Sequence, residues 1–301
     1  MSPTKKFLLT LALTAMWSPS FLFIKLAIES LPPMTIAASR ITLAMLLLLA
    51  LLLWKGYSFP RNLQFWGHAI IVLAFSTAIP FCLFCYAEQT IESSLAAIIN
   101  GTTPMFTAVL AQFFIPSDRL TLPKTVGIAL CAGGLLFLFA PNIAQGMSGT
   151  TYGMLAASAA AFSYAIQHIY TKKYFTGHKP FIAPTASLMA SAAMLWPCVF
   201  WLEDPLSLAM PSLSSLLGVC GLALFGTVIA FVLYYKLLEE SGPTAISLVA
   251  CFFPVGGMLL GMIFLGETFT FANFSAAAMI LLGLGIVNQV IPLRFLQPEK
   301  A

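Results

Sequence analysis

Residues 81–119 and 231–269 can be laid over one another without a gap. Phe81 falls on Phe231, Leu83 on Leu233, Pro104 on Pro254 and Phe114 on Phe264. Further upstream the spacing shifts slightly, yet Lys25 still matches Lys172 and Pro33 matches Pro180. The repeated unit holds an odd number of apolar runs, so tandem copies must cross a membrane in opposite senses. Inverted repeats of this kind build two halves around one site near mid-membrane.

Composition decides that the solvent is lipid. The chain is 60% hydrophobic and 8% charged, with a mean hydropathy of +0.95, against roughly 25% charged residues in soluble domains. A span needs about 20 apolar residues. Such runs lie at about 7–28, 34–54, 66–86, 93–115, 122–140, 151–171, 180–202, 212–238, 244–265 and 272–291. Turn chemistry separates them: LPP at 31–33, KGYSFPRN at 55–62, PSDRL at 116–120, EDP at 203–205 and SGP at 241–243. Lys5 and Lys6 precede the first run as in a signal peptide. The run is long and lacks a small-x-small cleavage site, so it reads as a retained helix. The expected fold is an all-α membrane protein of ten transmembrane helices, arranged as two inverted five-helix repeats at 1–145 and 146–301.

Charge orients the bundle. With the N-terminus inside, inner segments collect Lys5, Lys6, Lys55, Arg61, Arg119, Lys124, Lys172, Lys173, Lys179, Lys236, Arg294 and Lys300. The outside receives Lys25 together with Glu29, Glu88, Glu92, Glu203, Asp204 and Glu267. The positive-inside rule therefore predicts that both termini are cytoplasmic. Basic residues spread over loops give no nucleic-acid stripe. The six cysteines all fall in apolar runs, and the C-x-x-C of Cys82 and Cys85 has neither a second pair nor a nearby histidine, so inert buried thiols are expected.

Polar residues inside the runs are the site candidates. Arg40 sits about 9 Å inside the outer end of its helix, where a charge needs a partner or a wet cavity. It either binds a substrate carboxylate or phosphate through its guanidinium fork, or pairs structurally with Glu88 or Glu92. Tyr164, Gln167 and His168 share a helix face, and their repeat counterparts are Trp17, Ser20 and Phe21. Both faces are expected to line a cavity for an aromatic or apolar body with hydrogen-bonding groups. The alternative is packing between helices. No Asp or Glu lies at the centre of a run, so His168 leads as a side chain for any proton coupling.

Pro104 and Pro254 each free a backbone carbonyl one turn earlier, so paired kinked helices are expected to act as hinges. Asn100, Thr103 and Cys251 beside them are expected at the cavity. Gly257 and Gly261 form a G-x-x-x-G that permits close helix contact. Tyr234 and Tyr235 read as interfacial anchors.

The runs ESSLAAIINGTTPMFTAVLAQFF and SGPTAISLVACFFPVGGMLLGMIFLGETF, each followed by a glycine-containing helix, resemble EamA domains of the drug/metabolite transporter superfamily. So does the opening pattern, with Trp17, Phe21, Lys25, Pro33 and Arg40 at matching positions. Ser18 replaces the family's usual glycine, and Ser117 with Asp118 replaces its G-E in the first copy, whereas Gly266 and Glu267 keep it in the second. The resemblance covers nearly the whole chain. It implies a secondary transporter of the bacterial inner membrane, working as monomer or homodimer without a cofactor and moving small metabolites (often amino acids) usually outward. A lipid-carrier translocator of the same superfamily is the alternative. A membrane-embedded enzyme would need clustered acids, histidines or metal ligands, and no Walker, G-x-S-x-G or H-E-x-x-H motif occurs.

Overall fold

The computed structural model describes residues 3–73, 77–116, 119–144, 148–174, 181–241 and 243–291, which are helical with no strand among them. Ser117, Asp118, Lys179, Pro180, Arg294 and Lys300, used above for motif and topology, lie outside the described residues. The first half of the chain holds α1 (Pro3–Trp17), α2 (Ser20–Ala27), α3 (Pro33–Trp54), α4 (Leu63–Leu73), α5 (Ile79–Ala87), α6 (Ser93–Asn100), α7 (Thr103–Phe114) and α8 (Leu122–Ala144). The second half holds α9 (Gly149–Tyr174), α10 (Ile182–Leu202) and α11 (Leu213–Ala223). A π-helical turn (Leu224–Ile229), α12 (Ala230–Ser241), α13 (Pro243–Leu265) and α14 (Phe271–Val287) follow.

Among the described residues, six stretches are long and apolar enough to cross a membrane: Thr4–Ala27, Pro33–Trp54, Ser93–Phe114, Leu122–Ile143, Ile182–Leu202 and Leu213–Tyr234. Val249–Leu265 and Phe271–Val287 are shorter apolar helices. The two remaining predicted runs fall on α4 with α5, and on α9. Large apolar side chains such as Leu53, Phe113, Trp201 and Phe264 are exposed on the outside of the bundle, as a lipid-facing surface requires. The chain is an integral membrane protein.

The first run is not the single continuous helix expected. It breaks at Ser18 and Pro19, between α1 and α2, where proline cannot supply a backbone donor. The Ser18 hydroxyl instead donates to the Phe253 carbonyl oxygen at 3.3 Å, tying the break to α13. The two prolines of the repeat also differ. Pro104 stands in the first turn of α7, after a break at Gly101 and Thr102. The Asn100 carbonyl, which proline cannot serve, accepts from the Thr103 hydroxyl at 2.8 Å, the local repair that a membrane interior demands. Pro254, by contrast, lies inside the continuous α13. The two segments cross here. A Cβ on Gly101 would sit 2.8 Å from Pro254 Cγ.

Glycine also closes the contact between α8 and α14. A Cβ on Gly283 would meet the Gly127 carbonyl oxygen at 2.5 Å and Cys131 Sγ at 2.7 Å. Backbone cannot retreat as a flexible side-chain tip does, so Gly283→Ala is expected to cost about 1–3 kcal/mol despite alanine's better helix propensity. A lower thermal midpoint in detergent checks this, and an unchanged midpoint contradicts it. The G-x-x-x-G glycines pack within the chain: Gly257 faces Ala97 of α6, and Gly261 faces the Glu267 carboxylate and Ser93.

α3, after Pro32, and α6, after Glu92, start without a side-chain cap of their own. Carboxylates from the second half serve them. Glu203 accepts from the Met34 and Thr35 amides at 2.8 and 2.7 Å, and from the Thr35 hydroxyl at 2.8 Å. Glu267 accepts from the Ser93 and Ser94 amides at 2.7 and 2.9 Å. Gly266, at φ +65°, takes the left-handed turn that brings Glu267 back onto α6. Negative charge at a helix N-terminus also meets the positive end of its dipole. Both latches lie at the acidic end of the bundle.

Candidate functional site: a central aromatic cavity

Between the two halves lies a cavity of about 330 Å³. Of the expected site residues, Trp17, Ser20, Arg40, Asn100, Thr103, Pro104, Tyr164, Gln167 and His168 line it. Cys251 and Pro254 are not among the lining residues, whereas Ala250 and Phe253 are. Cys251 is rotated away from the wall and packs against Met105, Cys131 and Leu284, and it accepts from the Asn288 amide at 3.8 Å. The reason is helical phase: 250 and 253 share a face, while 251 lies about 100° round from 250.

Arg40 is held on three sides. Its Nε donates to Thr227 Oγ1 at 3.2 Å and its Nη2 to the Gly226 carbonyl oxygen at 3.4 Å. Its guanidinium carbon stands 3.8 Å above the Phe81 ring centroid, a cation–π contact. The partners come from the π-helical turn, whose Thr227 hydroxyl donates back to the Leu222 carbonyl at 3.1 Å. Gly226 leaves the space: a Cβ there would press on Ser20 Oγ at 2.9 Å and on Arg40 Nη2 at 3.3 Å. The sequence offered Glu88 or Glu92 as structural partners for Arg40, and the geometry assigns it neither. Arg40 is 7% exposed, and its guanidinium has hydroxyl, carbonyl and aromatic neighbours.

Aromatic rings form a large part of the remaining wall. Phe21 packs edge-on against Phe84 at 5.3 Å and lies 5.9 Å from Phe253. Phe84 stacks on Tyr164 at 6.2 Å, and Trp17 meets Tyr234 at 6.0 Å. Tyr234, expected as an interfacial anchor, is therefore a wall residue. Phe81, Phe84, Phe231, Tyr234 and Thr227 were not picked out from the sequence as cavity residues. A signal for four of them was present. The repeat matches Phe81 with Phe231 and Phe84 with Tyr234, and both pairs line the cavity. Thr227 carried no such signal, because a π-helical turn cannot be read from hydrophobic spacing.

The cavity is lopsided along the bundle. Towards the basic end its lining runs to Ala183 and Pro184, in the first turn of α10, and to Ala69 within α4. Towards the acidic end it stops at Ile24, Arg40 and Phe84, short of the two carboxylate latches. Among the described residues no cluster of His, Cys, Asp or Glu has the makings of a metal site.

The EamA-like transporter family matches this chain twice, over residues 4–140 and 151–289. The chain belongs to that family. The uncharacterized inner membrane transporter YedA of Escherichia coli K12 is 29% identical over 278 residues, 92% of this chain and 88% of its own. A probable amino-acid metabolite efflux pump of Salmonella typhimurium is 26% identical over 287 residues, covering 92% of this chain and 93% of its own. One crystal structure, 20% identical, superposes with a TM-score of 0.68 over 97% of this chain and 100% of that one, which shows the fold.

Proposed function

We propose that this chain is a secondary transporter that moves amino acids or related carboxylate-bearing metabolites out across the bacterial inner membrane. In this reading ten spans form two inverted five-helix repeats, 1–145 and 146–301, with both termini cytoplasmic, and the cavity opens alternately to the two faces. The observation that carries the substrate class is Arg40. A buried guanidinium held by hydroxyl, carbonyl and aromatic partners has fork donors to spare for an anion, and the surrounding rings fit an apolar or aromatic body. Trp17, Ser20, Asn100, Thr103, Tyr164, Gln167 and His168 contribute the polar and aromatic contacts around that body. The efflux-pump name of a relative supports both the substrate class and the outward direction. The basic end, where the cavity reaches the first turn of α10, is the cytoplasmic face by the positive-inside rule.

Counterflow in proteoliposomes tests this, using labelled neutral amino acids, nucleosides and organic cations, with and without a pH gradient. Aromatic or branched neutral amino acids are expected to exchange. Exchange of the other solutes with no amino acid among them overturns the substrate class. Gln167→Ala is expected to lower that exchange several-fold in folded protein, the size of one lost neutral hydrogen bond of about 1 kcal/mol; an unchanged rate removes Gln167 from the site.

A further inference from the structure

We propose that Glu88 is a proton-binding site of the gate at the acidic end, protonated while that end is closed and ionised when it opens. This rests on the alternating-access reading above. Glu88 follows α5 in the turn before α6. Its side chain is 0% exposed, and neither carboxyl oxygen has a hydrogen-bond partner among the described residues. The nearby cation is already engaged: Lys25 Nζ donates to the main-chain carbonyls of Glu88 at 2.7 Å and Ile91 at 2.9 Å. Those bonds cap the C-terminal end of α5, where a cation is favoured and a carboxylate disfavoured by the helix dipole. A buried carboxylate with no donors costs several kcal/mol, whereas a neutral acid there costs far less. The closed end therefore holds the acid form.

The groups around it set the balance. Burial pushes the Glu88 carboxyl well above the ordinary carboxylate range; Lys25 on α2 pulls it back, and Glu267, beyond α13, adds to the rise. Glu92 closes the same turn. Cys85 on α5, Tyr152 and Tyr164 on α9, and Arg40 on α3 are the nearest other titratable side chains of the elements packed against α5. Opening this end separates Lys25 from the 88–91 turn and Glu267 from α6, and the carboxyl then meets water, where its ordinary value is about 4.3. The closed state binds the extra proton. Its advantage is complete below the open-state value and is lost as pH rises through the closed-state value. Within that window the open-to-closed ratio changes by up to about tenfold per pH unit.

The test is labelling of Ile24→Cys, a cavity position at the acidic end, in intact cells by a membrane-impermeant maleimide. Rates are corrected for the chain lacking that cysteine and normalised to Ser207→Cys, an exposed loop position. Labelling is expected to rise as external pH goes from about 6 to about 9. Adding Glu88→Gln, which imitates the neutral acid, is expected to hold labelling low and flat across the range. The same rise with glutamine present overturns the proposal. Infrared spectra of the reconstituted protein give a second readout: a protonated carboxyl band at neutral pH that disappears in Glu88→Gln or, should that chain not accumulate, in Glu88→Ala. A band unchanged by the substitution also overturns it. Neither readout uses a transported solute. Failed counterflow with pH-dependent labelling strikes the substrate reading alone, and counterflow with flat labelling strikes Glu88 alone.

Discussion

Arg40→Ala is expected to reduce counterflow of a carboxylate-bearing solute by about ten- to a hundredfold while folded protein is still recovered. The magnitude is that of a lost hydrogen bond to a charged group, about 1.5–3 kcal/mol, at roughly tenfold per 1.4 kcal/mol. The structure explains why folding should survive. Among the described residues no carboxylate pairs with Arg40, so its removal strands none, and Thr227 keeps its own bond to the Leu222 carbonyl. Arg40→Lys is the sharper comparison. Lysine restores the charge but not the planar fork or the stacking on Phe81, so it is expected to recover only part of the rate. Counterflow at wild-type rate in the alanine chain would remove Arg40 from the substrate site. Loss of thermal stability in step with the rate would make its role structural.

Glu267→Ala and Glu203→Ala are expected to loosen the acidic end, and the double substitution more than either alone. Each removal leaves two main-chain amides at a helix start without their carboxylate acceptor. Loss of a helix N-cap costs about 0.5–2 kcal/mol. The loss falls on the closed state of that end, because the carboxylates belong to the second half of the chain and the amides to the first. Labelling of Ile24→Cys from outside is therefore expected to rise several-fold for each substitution, up to about tenfold for each 1.4 kcal/mol lost. Glu267→Gln keeps an acceptor oxygen but loses the charge, and should fall between. Labelling unchanged in the double variant would show that the latches do not hold the gate.

The repeat does not carry the same latch residues to the basic end. The repeat sets Ser117 opposite Glu267, Pro243 opposite Ser93, and Gly56 opposite Glu203. A serine and a glycine carry no carboxylate, Pro243 has no amide hydrogen to give, and the neighbouring Asp118 lies outside the described residues. This asymmetry agrees with a cavity that reaches the first turn of α10 at the basic end and stops short of the latches at the acidic one. It also gives the retained G-E a physical role: Gly266 makes the turn and Glu267 closes the helix end.

Much of the cavity was legible because the repeat and helical spacing act locally. Tyr164, Gln167 and His168 share a face by the 3.6-residue period alone, and Trp17 and Ser20 follow from the repeat. The misplacements were of phase and partner. Cys251 differs from the wall residue Ala250 by a single step of about 100°, and a kinkable helix leaves that phase open until its neighbours pack. Tyr234 was read from its nearness to a helix end, where tyrosine favours the membrane interface. The ring of Trp17, far away in sequence, drew it into the wall instead.

The sequence by itself determined a lipid-embedded helical chain, an internal duplication and the family, because hydrophobic run length and spacing are imposed by the solvent and need no partner. Only the tertiary structure decided what the buried charges do. Glu88, Glu203 and Glu267 look alike in sequence, three acids near helix ends. Two accept from helix amides of the other half, and the third is sealed without a donor among the described residues. Burial and hydrogen bonding depend on segments more than 160 residues apart. An acid's role at a membrane protein's gate is therefore set by packing.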